Sequence, residues 1–165
     1  MEVCLSDDEY CAALIEVFAE VFPALTICGD ADEPFYRAPQ AGEKAVLYFR
    51  SNYPRSLLHE MSHYCLAGDR RRQLDDFDYW YTPCGRSADE QLAFERVEAR
   101  PQGLEKRFCE LAGLTFSPSL DDFSGRPASE VFLQGLDSAY REMCERPPKT
   151  AAKAIAGLKK MALAC

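Results

Sequence analysis

Histidine is scarce in this chain of 165 residues, which contains only two, His59 and His63. Long apolar runs are missing as well, since none reaches the roughly 18 residues that a transmembrane helix requires. The first residues include Asp7, Asp8 and Glu9, whereas an export signal has a basic start followed by an apolar stretch. We therefore expect a cytoplasmic protein with no membrane partner.

Closely spaced cysteine pairs are also lacking, although the chain has eight cysteines. The nearest two, Cys4 and Cys11, stand seven positions apart, so no CxxC pair is available for a structural zinc site. A chain of this length can bury an adequate core without disulfides. We expect reduced thiols, most of them packed as small apolar side chains.

Basic residues are too few for a nucleic acid partner to be expected. The chain has 19 lysines and arginines against 27 aspartates and glutamates, which gives a formal net charge of −8. Binding of a phosphate backbone depends on clustered Lys and Arg. This charge suits a basic protein partner better.

The pattern of apolar residues predicts an α+β fold, mostly helical with a small β-sheet, in a single domain over residues 1–165. Two capping boxes, Ser6 with Glu9 and Ser87 with Glu90, predict helix starts. The expected helices cover about 6–23, 54–68, 87–101, 101–112, 129–144 and 150–163, and the expected strands cover 25–28 and 45–49, flanking a loop or hairpin, with a strand or ordered loop at 74–86.

Both histidines belong to an HExxH motif, formed by His59, Glu60 and His63 within a predicted helix. Residues four apart lie about one turn apart on one helix face, so both imidazoles can bind one ion. In zinc peptidases the glutamate of this motif is the general base that activates metal-bound water. Cys65 points to another face and is expected to pack in the core. The alternative is that both histidines are core residues with backbone partners.

A closed metal site needs a third protein ligand, which here must be a carboxylate or a thiolate because no other histidine exists. Glu95 and Glu98 stand three residues apart on the helix predicted after Ser87. A zincin-like packing of this helix against the HExxH helix would bring one of them to the metal, while the other would orient a histidine or a bound water. Alternatively, both are exposed and pair with Arg96 or Arg100. This donor set serves hydrolytic zinc as well as non-haem Fe(II), so the metal stays open.

Two longer blocks give the chain a family resemblance. The segments HEMSHYCLAGDRRRQLDDFDYWYTPCGR, residues 59–86, and FERVEARPQGLEKRFCELAG, residues 94–113, resemble the elongation factor P hydroxylases. The similarity runs without gaps from about residue 57 to 116, roughly a third of the chain. Its DFDYWY and FExVE blocks are far more specific than HExxH alone. After Gly125 the match is looser.

The resemblance implies a cytoplasmic enzyme that hydroxylates a β-lysylated lysine of elongation factor P with a bound metal and dioxygen. The metal implied is Fe(II), with Zn(II) as the alternative. The implied ligands are His59, His63 and Glu98, with Glu95 behind them or as an alternative ligand. Glu60 is implied in proton handling or in positioning a bound water. The family lacks the jelly roll of the 2-oxoglutarate oxygenases, so 2-oxoglutarate is not expected.

A lysine extended by a second lysyl group is long and cationic, and the segment after the HExxH helix offers groups that suit it. Asp75, Asp76 and Asp78 would supply complementary charge, and Tyr79 and Tyr81 would line a channel for the methylene chain. The alternative is a solvated acidic loop with aromatic core residues.

Three function classes remain open: an iron-dependent protein hydroxylase, a zinc peptidase, and a non-catalytic binding domain that metal only stabilises. The first adds an oxygen atom to the partner. The second yields cleavage products and loses turnover when Glu60 becomes Gln. In the third, His59→Ala lowers the melting temperature and leaves partner binding intact.

Overall fold

The computed structural model describes residues 5–79, 85–121 and 125–164. In chain order, these residues form α1 (Asp7–Val21), β1 (Leu25–Ala31), β2 (Phe35–Arg37), β3 (Ala45–Arg50), α2 (Pro54–Leu66), α3 (Gly68–Arg71), a 3-10 turn (Asp75–Asp78), α4 (Ala88–Ala112), α5 (Glu130–Glu145) and α6 (Lys149–Ala164). The described chain is mostly helical and has a small sheet, which confirms the predicted α+β class. Within it, no helix is both long enough and apolar enough to cross a membrane.

The two predicted capping boxes are present at the starts of α1 and α4. Ser6 accepts a hydrogen bond from the backbone of Glu9, and the Glu9 side chain accepts one from the backbone of Ser6. Ser87 and Glu90 form the same reciprocal pair. Both pairs satisfy backbone N–H groups that a helix start otherwise leaves without partners.

The sheet has three strands in the order β1-β3-β2. The predicted strands β1 and β3 pair in parallel, with Leu25 opposite Ala45. β2 was not predicted, and it pairs antiparallel to β3, with Tyr36 opposite Leu47. The prediction of a loop or hairpin between β1 and β3 therefore missed a strand, because the connection between these parallel strands itself contributes β2.

The prediction of two helices meeting at Pro101 is wrong, since α4 runs unbroken from Ala88 to Ala112 with Pro101 inside it. Proline removes one helical hydrogen bond and crowds the carbonyl four residues earlier, which normally ends a helix. Here α4 packs against α2, α5 and α6, and Pro101 is buried. These contacts on both sides of Pro101 hold the helix together through the defect.

α2 places the HExxH motif at the edge of the core. Leu57, Leu58 and Met61 are fully buried on one side of this helix, while His59 and His63 lie partly exposed on another. Burial of such side chains contributes about 1.5–3 kcal/mol each, so the apolar side of α2 fixes the direction of the histidines. Cys65 is 3% exposed within the core, as predicted.

The cysteines of the described residues match the predicted packing role in part. All five, Cys11, Cys28, Cys65, Cys109 and Cys144, are free thiols; the first, third and fourth are buried, Cys28 is intermediate and Cys144 is exposed. Burial raises the pKa of Cys11 to about 11 and that of Cys109 to about 12. Such thiols are poor nucleophiles near neutral pH.

Candidate metal centre

His59 and His63 turn the same ring nitrogen toward a common point. The rings stand 4.8 Å apart in an edge-to-face arrangement, and their Nε2 atoms are separated by 3.2 Å. The two rings are this close because residues four apart lie one turn apart on the same face of α2. Both Nε2 atoms are therefore placed to bind one ion.

Glu98 of α4 completes the group. Its Oε1 lies 3.2 Å from Nε2 of His63, and its Oε2 lies 3.6 Å from Nε2 of His59. An ion bound about 2.0–2.2 Å from three such atoms holds them roughly 3.0–3.6 Å apart, so the observed separations fit a metal. In the described part of the chain, these three residues form the group of metal-binding side chains that could hold an ion.

Charge is strongly coupled within this group. Burial alone would lower the pKa of His59, but its hydrogen bond to Glu105 and the charges of Glu98 and Glu60 outweigh it and raise the pKa to about 10. For Glu98, burial is outweighed by the charge and hydrogen bond of His63 and the charge of His59, and the pKa falls to about 2. The carboxylates thus create an environment that favours positive charge.

Two further side chains of α4 support the ligands from behind, and neither was predicted. Glu105 places Oε2 at 2.9 Å from Nδ1 of His59, and Gln102 reaches the Oε2 of Glu98 over 3.4 Å. Both are buried. The sequence carried a signal for them, because Glu98, Gln102 and Glu105 recur at the spacing that places residues on one helix face. The face of a helix that packs against a neighbour usually carries apolar residues, so polar residues at this spacing are an exception.

Glu95, the alternative ligand, lies one turn before Glu98 on the same helix. Its side chain is buried, and its Oε2 accepts a hydrogen bond from the hydroxyl of Ser129 at the start of α5. It is not part of the group formed by His59, His63 and Glu98. Its described partner therefore belongs to the packing of α4 against α5.

Glu60 lines the cleft beside the histidines. No hydrogen bond within the described residues engages its carboxylate, in contrast to Glu98 and Glu105. Burial raises the pKa of Glu60, and the charges of His59 and His63 oppose this increase without cancelling it. The carboxyl group is thus free to accept or donate a proton at the cleft.

Asp76 has a structural partner in β2, and Asp75 has one in the residue that follows this strand. An oxygen of Asp75 accepts a hydrogen bond from the backbone of Ala38, and one of Asp76 accepts from the backbone of Tyr36, both over 2.8 Å. Asp76 also lines the cleft, and burial raises its pKa despite the hydrogen bond from Tyr36. Asp78 is exposed and does not line the cleft.

The turn that carries these aspartates has an uncommon backbone. Asp76, Phe77 and Asp78 have φ angles of 46°, 59° and 59°, in the left-handed region that non-glycine residues rarely adopt. The hydrogen bonds from Tyr36 and Ala38 and the stacking of Phe77 on Tyr36, with ring centroids 4.2 Å apart, hold the turn in place. The strained turn sets one wall of the cleft.

Tyr79 is the predicted aromatic residue that reaches the metal ligands. Its ring centroid lies 5.9 Å from that of His63, and the guanidinium of Arg71 lies 4.5 Å above the same ring. Tyr79 is partly buried and lines the cleft. Tyr81, the other predicted aromatic residue, lies outside the described residues.

The segment that follows α4, residues 114–121, is called the strap below. Arg55 donates to the hydroxyl and the carbonyl of Ser117, over 2.9 and 2.8 Å. Gln102 exchanges two hydrogen bonds with the backbone of Ser119, of 2.7 and 2.9 Å. Arg86 donates to the carbonyls of the last two strap residues. Side chains of the site region thus fix the strap at three points.

The ligands open into a cleft of about 810 Å³. Its lining includes the acidic residues Glu33, Glu60, Asp76 and Asp121. Arginines of the same cleft are engaged by carboxylates; Arg55, for example, pairs with Glu105 over 2.8 Å. His59, His63 and Glu98 thus face a cleft with room for a small molecule or an extended side chain.

Comparison with known proteins identifies the family of the chain. The model of the family described as elongation factor P hydroxylase matches residues 15–161. The chain is similar to a Haemophilus influenzae protein named elongation factor P lysine hydroxylase, with 38% identity over 142 residues, covering 84% of this chain and 79% of that protein. The match extends well beyond the central blocks, into regions where the resemblance was loose. The chain belongs to the elongation factor P hydroxylase family.

Proposed function

We propose that this protein is an Fe(II)-dependent hydroxylase that uses dioxygen to hydroxylate the β-lysylated lysine of elongation factor P. The observation that carries the proposal is the convergence of His59, His63 and Glu98 at the floor of an open cleft. Two histidines and one carboxylate on one side of an ion leave positions free, which is the arrangement of non-haem iron oxygenases. Family membership supplies elongation factor P as the expected substrate.

The protein's own residues hold the metal and manage charge around it. His59 and His63 would donate Nε2 lone pairs, and Glu98 would compensate part of the charge of the ion. Ferrous iron bound there supplies the activation of dioxygen. Glu60, which lines the cleft without a hydrogen-bond partner in the described chain, would hold or release a proton beside the ligands.

The cleft suits a cationic side chain. Asp76 and Glu60 lie near the ligands, and Asp121 lies on the strap side. Tyr79 offers a ring face for methylene groups. A net charge of −8 favours approach of a basic segment from the partner.

Three finer features belong to the same proposal. The packing of the HExxH helix α2 against the glutamate helix α4 supports a zincin-like arrangement. The described fold is helical with a three-stranded sheet, which differs from a jelly roll and supports independence from 2-oxoglutarate. The remaining two electrons for dioxygen would then come from an external reductant.

Because translation factors act at ribosomes, we propose the cytoplasm as the location.

The test uses purified protein, Fe(II), air, a chemical reductant and β-lysylated elongation factor P, followed by intact mass measurement. The expected result is a mass increase of one oxygen atom on the elongation factor, absent with unmodified elongation factor P. His63→Ala should abolish it. No oxygen addition with the wild-type protein, or full activity of His63→Ala, would refute the proposal.

A zinc peptidase is the second candidate, and the free carboxylate of Glu60 beside two histidines favours it. The same incubation with Zn(II) separates the two activities. Peptide fragments that vanish in Glu60→Gln would support the peptidase. Intact elongation factor that carries an added oxygen would exclude peptidase action on this substrate.

A further inference from the structure

Glu105 contacts the nitrogen of His59 that faces away from the other ligands. Its side chain is only 3% exposed. Oε2 lies 2.9 Å from Nδ1 of His59, and Oε1 lies 2.8 Å from the guanidinium of Arg55. Each oxygen of this buried carboxylate therefore has a hydrogen-bond partner.

This contact specifies which nitrogen keeps its proton when His59 is neutral, the form that can bind a metal. A carboxylate paired with a guanidinium only accepts hydrogen bonds, so Nδ1 of His59 must be the donor. A neutral imidazole with its proton on Nδ1 has its lone pair on Nε2. That atom faces His63 at 3.2 Å and Glu98 at 3.6 Å.

We infer that Glu105 is a positioning residue for the metal centre, which fixes the tautomer and the ring orientation of His59. The inference rests on the proposed metal site. Carboxylates behind metal-binding histidines usually act in this way, and their loss weakens metal affinity about 10–100-fold. Glu105 neither touches substrate nor binds the metal in this scheme.

Arg55 prevents Glu105 from turning away. Besides its bond to Glu105, it donates two hydrogen bonds to Ser117 of the strap, and its guanidinium lies 5.3 Å from the centre of the Phe116 ring. Its side chain is 19% exposed. A guanidinium held at several points gives the carboxylate one orientation and compensates its buried charge.

The chain contains a matched control for the loss of a buried carboxylate. Glu95 lies on the same helix, and 4% of the whole residue is exposed, against 2% for Glu105 by the same measure. Its described hydrogen bond goes to Ser129 and not to a metal ligand. Glu95→Gln therefore removes a buried charge from α4 without touching His59.

The experiment compares wild-type protein, Glu105→Gln, Glu105→Asp and Glu95→Gln, each freed of metal and titrated with Co(II) alone. Visible absorption gives the dissociation constant and the coordination of the ion. Zn(II)-loaded samples give the Nδ1–H resonance of His59 in nitrogen-resolved NMR spectra, which a purely structural role would leave unchanged. Glu105→Asp retains the charge beside Arg55 and shortens the reach to His59, so it tests the contact if Glu105→Gln does not fold.

Glu105→Gln is expected to bind Co(II) about 10–100-fold more weakly, with an upfield shift and faster exchange of the Nδ1–H proton. Glu105→Asp should lie between it and the wild type, and Glu95→Gln should match the wild type. Unchanged binding in both Glu105 variants would overturn the inference, as would an equal loss in Glu95→Gln. Failure of the wild type to bind Co(II) would instead overturn the proposed metal site.

Discussion

Replacement of Gly103 by alanine should separate the two helices that meet there. A Cβ at this position of α4 would lie 2.6 Å from the Cβ of Ala139, 2.8 Å from the backbone nitrogen of Tyr140 and 3.0 Å from the carbonyl carbon of Ala139, all in α5. Two of these atoms belong to the backbone and cannot rotate away. Ordinary carbon contacts are about 3.5–4.0 Å, so α4 and α5 must part by about 1 Å.

The magnitude follows from two opposing effects. Overpacking of this kind costs about 1–3 kcal/mol, while alanine gains up to about 1 kcal/mol over glycine in a helix. We expect a net loss of about 1–2 kcal/mol in the free energy of unfolding. In a domain of this size each kcal/mol lowers the melting temperature by about 2–4 °C.

Urea unfolding of the metal-free protein measures this change as a lower midpoint at constant m. Gly135→Ala, on α5, is the milder matched control, because among the described residues its Cβ would meet the Cβ of Ala99 at 3.3 Å, a few tenths of an ångström short of an ordinary contact. The control should be as stable as the wild type or gain up to about 1 kcal/mol. Equal stability of Gly103→Ala and the wild type would refute the close approach of the two helices.

Three further predictions concern the site, a helix start and the thiols. Glu98→Gln should weaken Co(II) binding at least about 10-fold, whereas Glu95→Gln should not; equal losses in a Co(II) titration would contradict the assignment of Glu98 as the ligand. Ser87→Ala should lower the free energy of unfolding by about 1 kcal/mol, because it removes the cap of α4; an unchanged urea midpoint would contradict the role of that cap. At pH 8, iodoacetamide should label the exposed Cys144 and leave Cys11 unlabelled. Burial raises the pKa of Cys11 to about 11, so this thiol stays protonated. Peptide mass mapping that finds both cysteines labelled equally would contradict this prediction.

The α4 helix shows where sequence patterns lose information. Its start at Ser87 was predictable, because a capping box is a local signal. Its continuation through Pro101 was not, since proline normally ends a helix and the contacts that offset this come from α2, α5 and α6. The three residues of β2 were too few for an alternating pattern to be recognised, and their pairing with β3 is set by tertiary structure.

The candidate metal centre was also predictable only where the signal is local. His59 and His63 were predictable from spacing within one helix, and Glu98 was one of two candidates. Choosing between Glu95 and Glu98 depends on the rotation of α4 against α2, which no local pattern specifies. The spacing of Glu105 places it on the same face of α4 as Glu98, but its contacts with His59 and Arg55 depend on tertiary structure.

The strap has a consequence for the tolerance of the chain to insertions. Connecting segments usually accept extra residues, since few of their backbone groups are bound. In the strap, Arg55 holds Ser117 and Gln102 holds Ser119, so one added residue between them would displace a backbone group from its partner. The exposed turn at Gly42, where no atom of the described residues lies within 4 Å of a Cβ position, should accept the same insertion. The strap therefore has a set length as well as a set path, and Gln102, one of the side chains that hold it, also contacts Glu98.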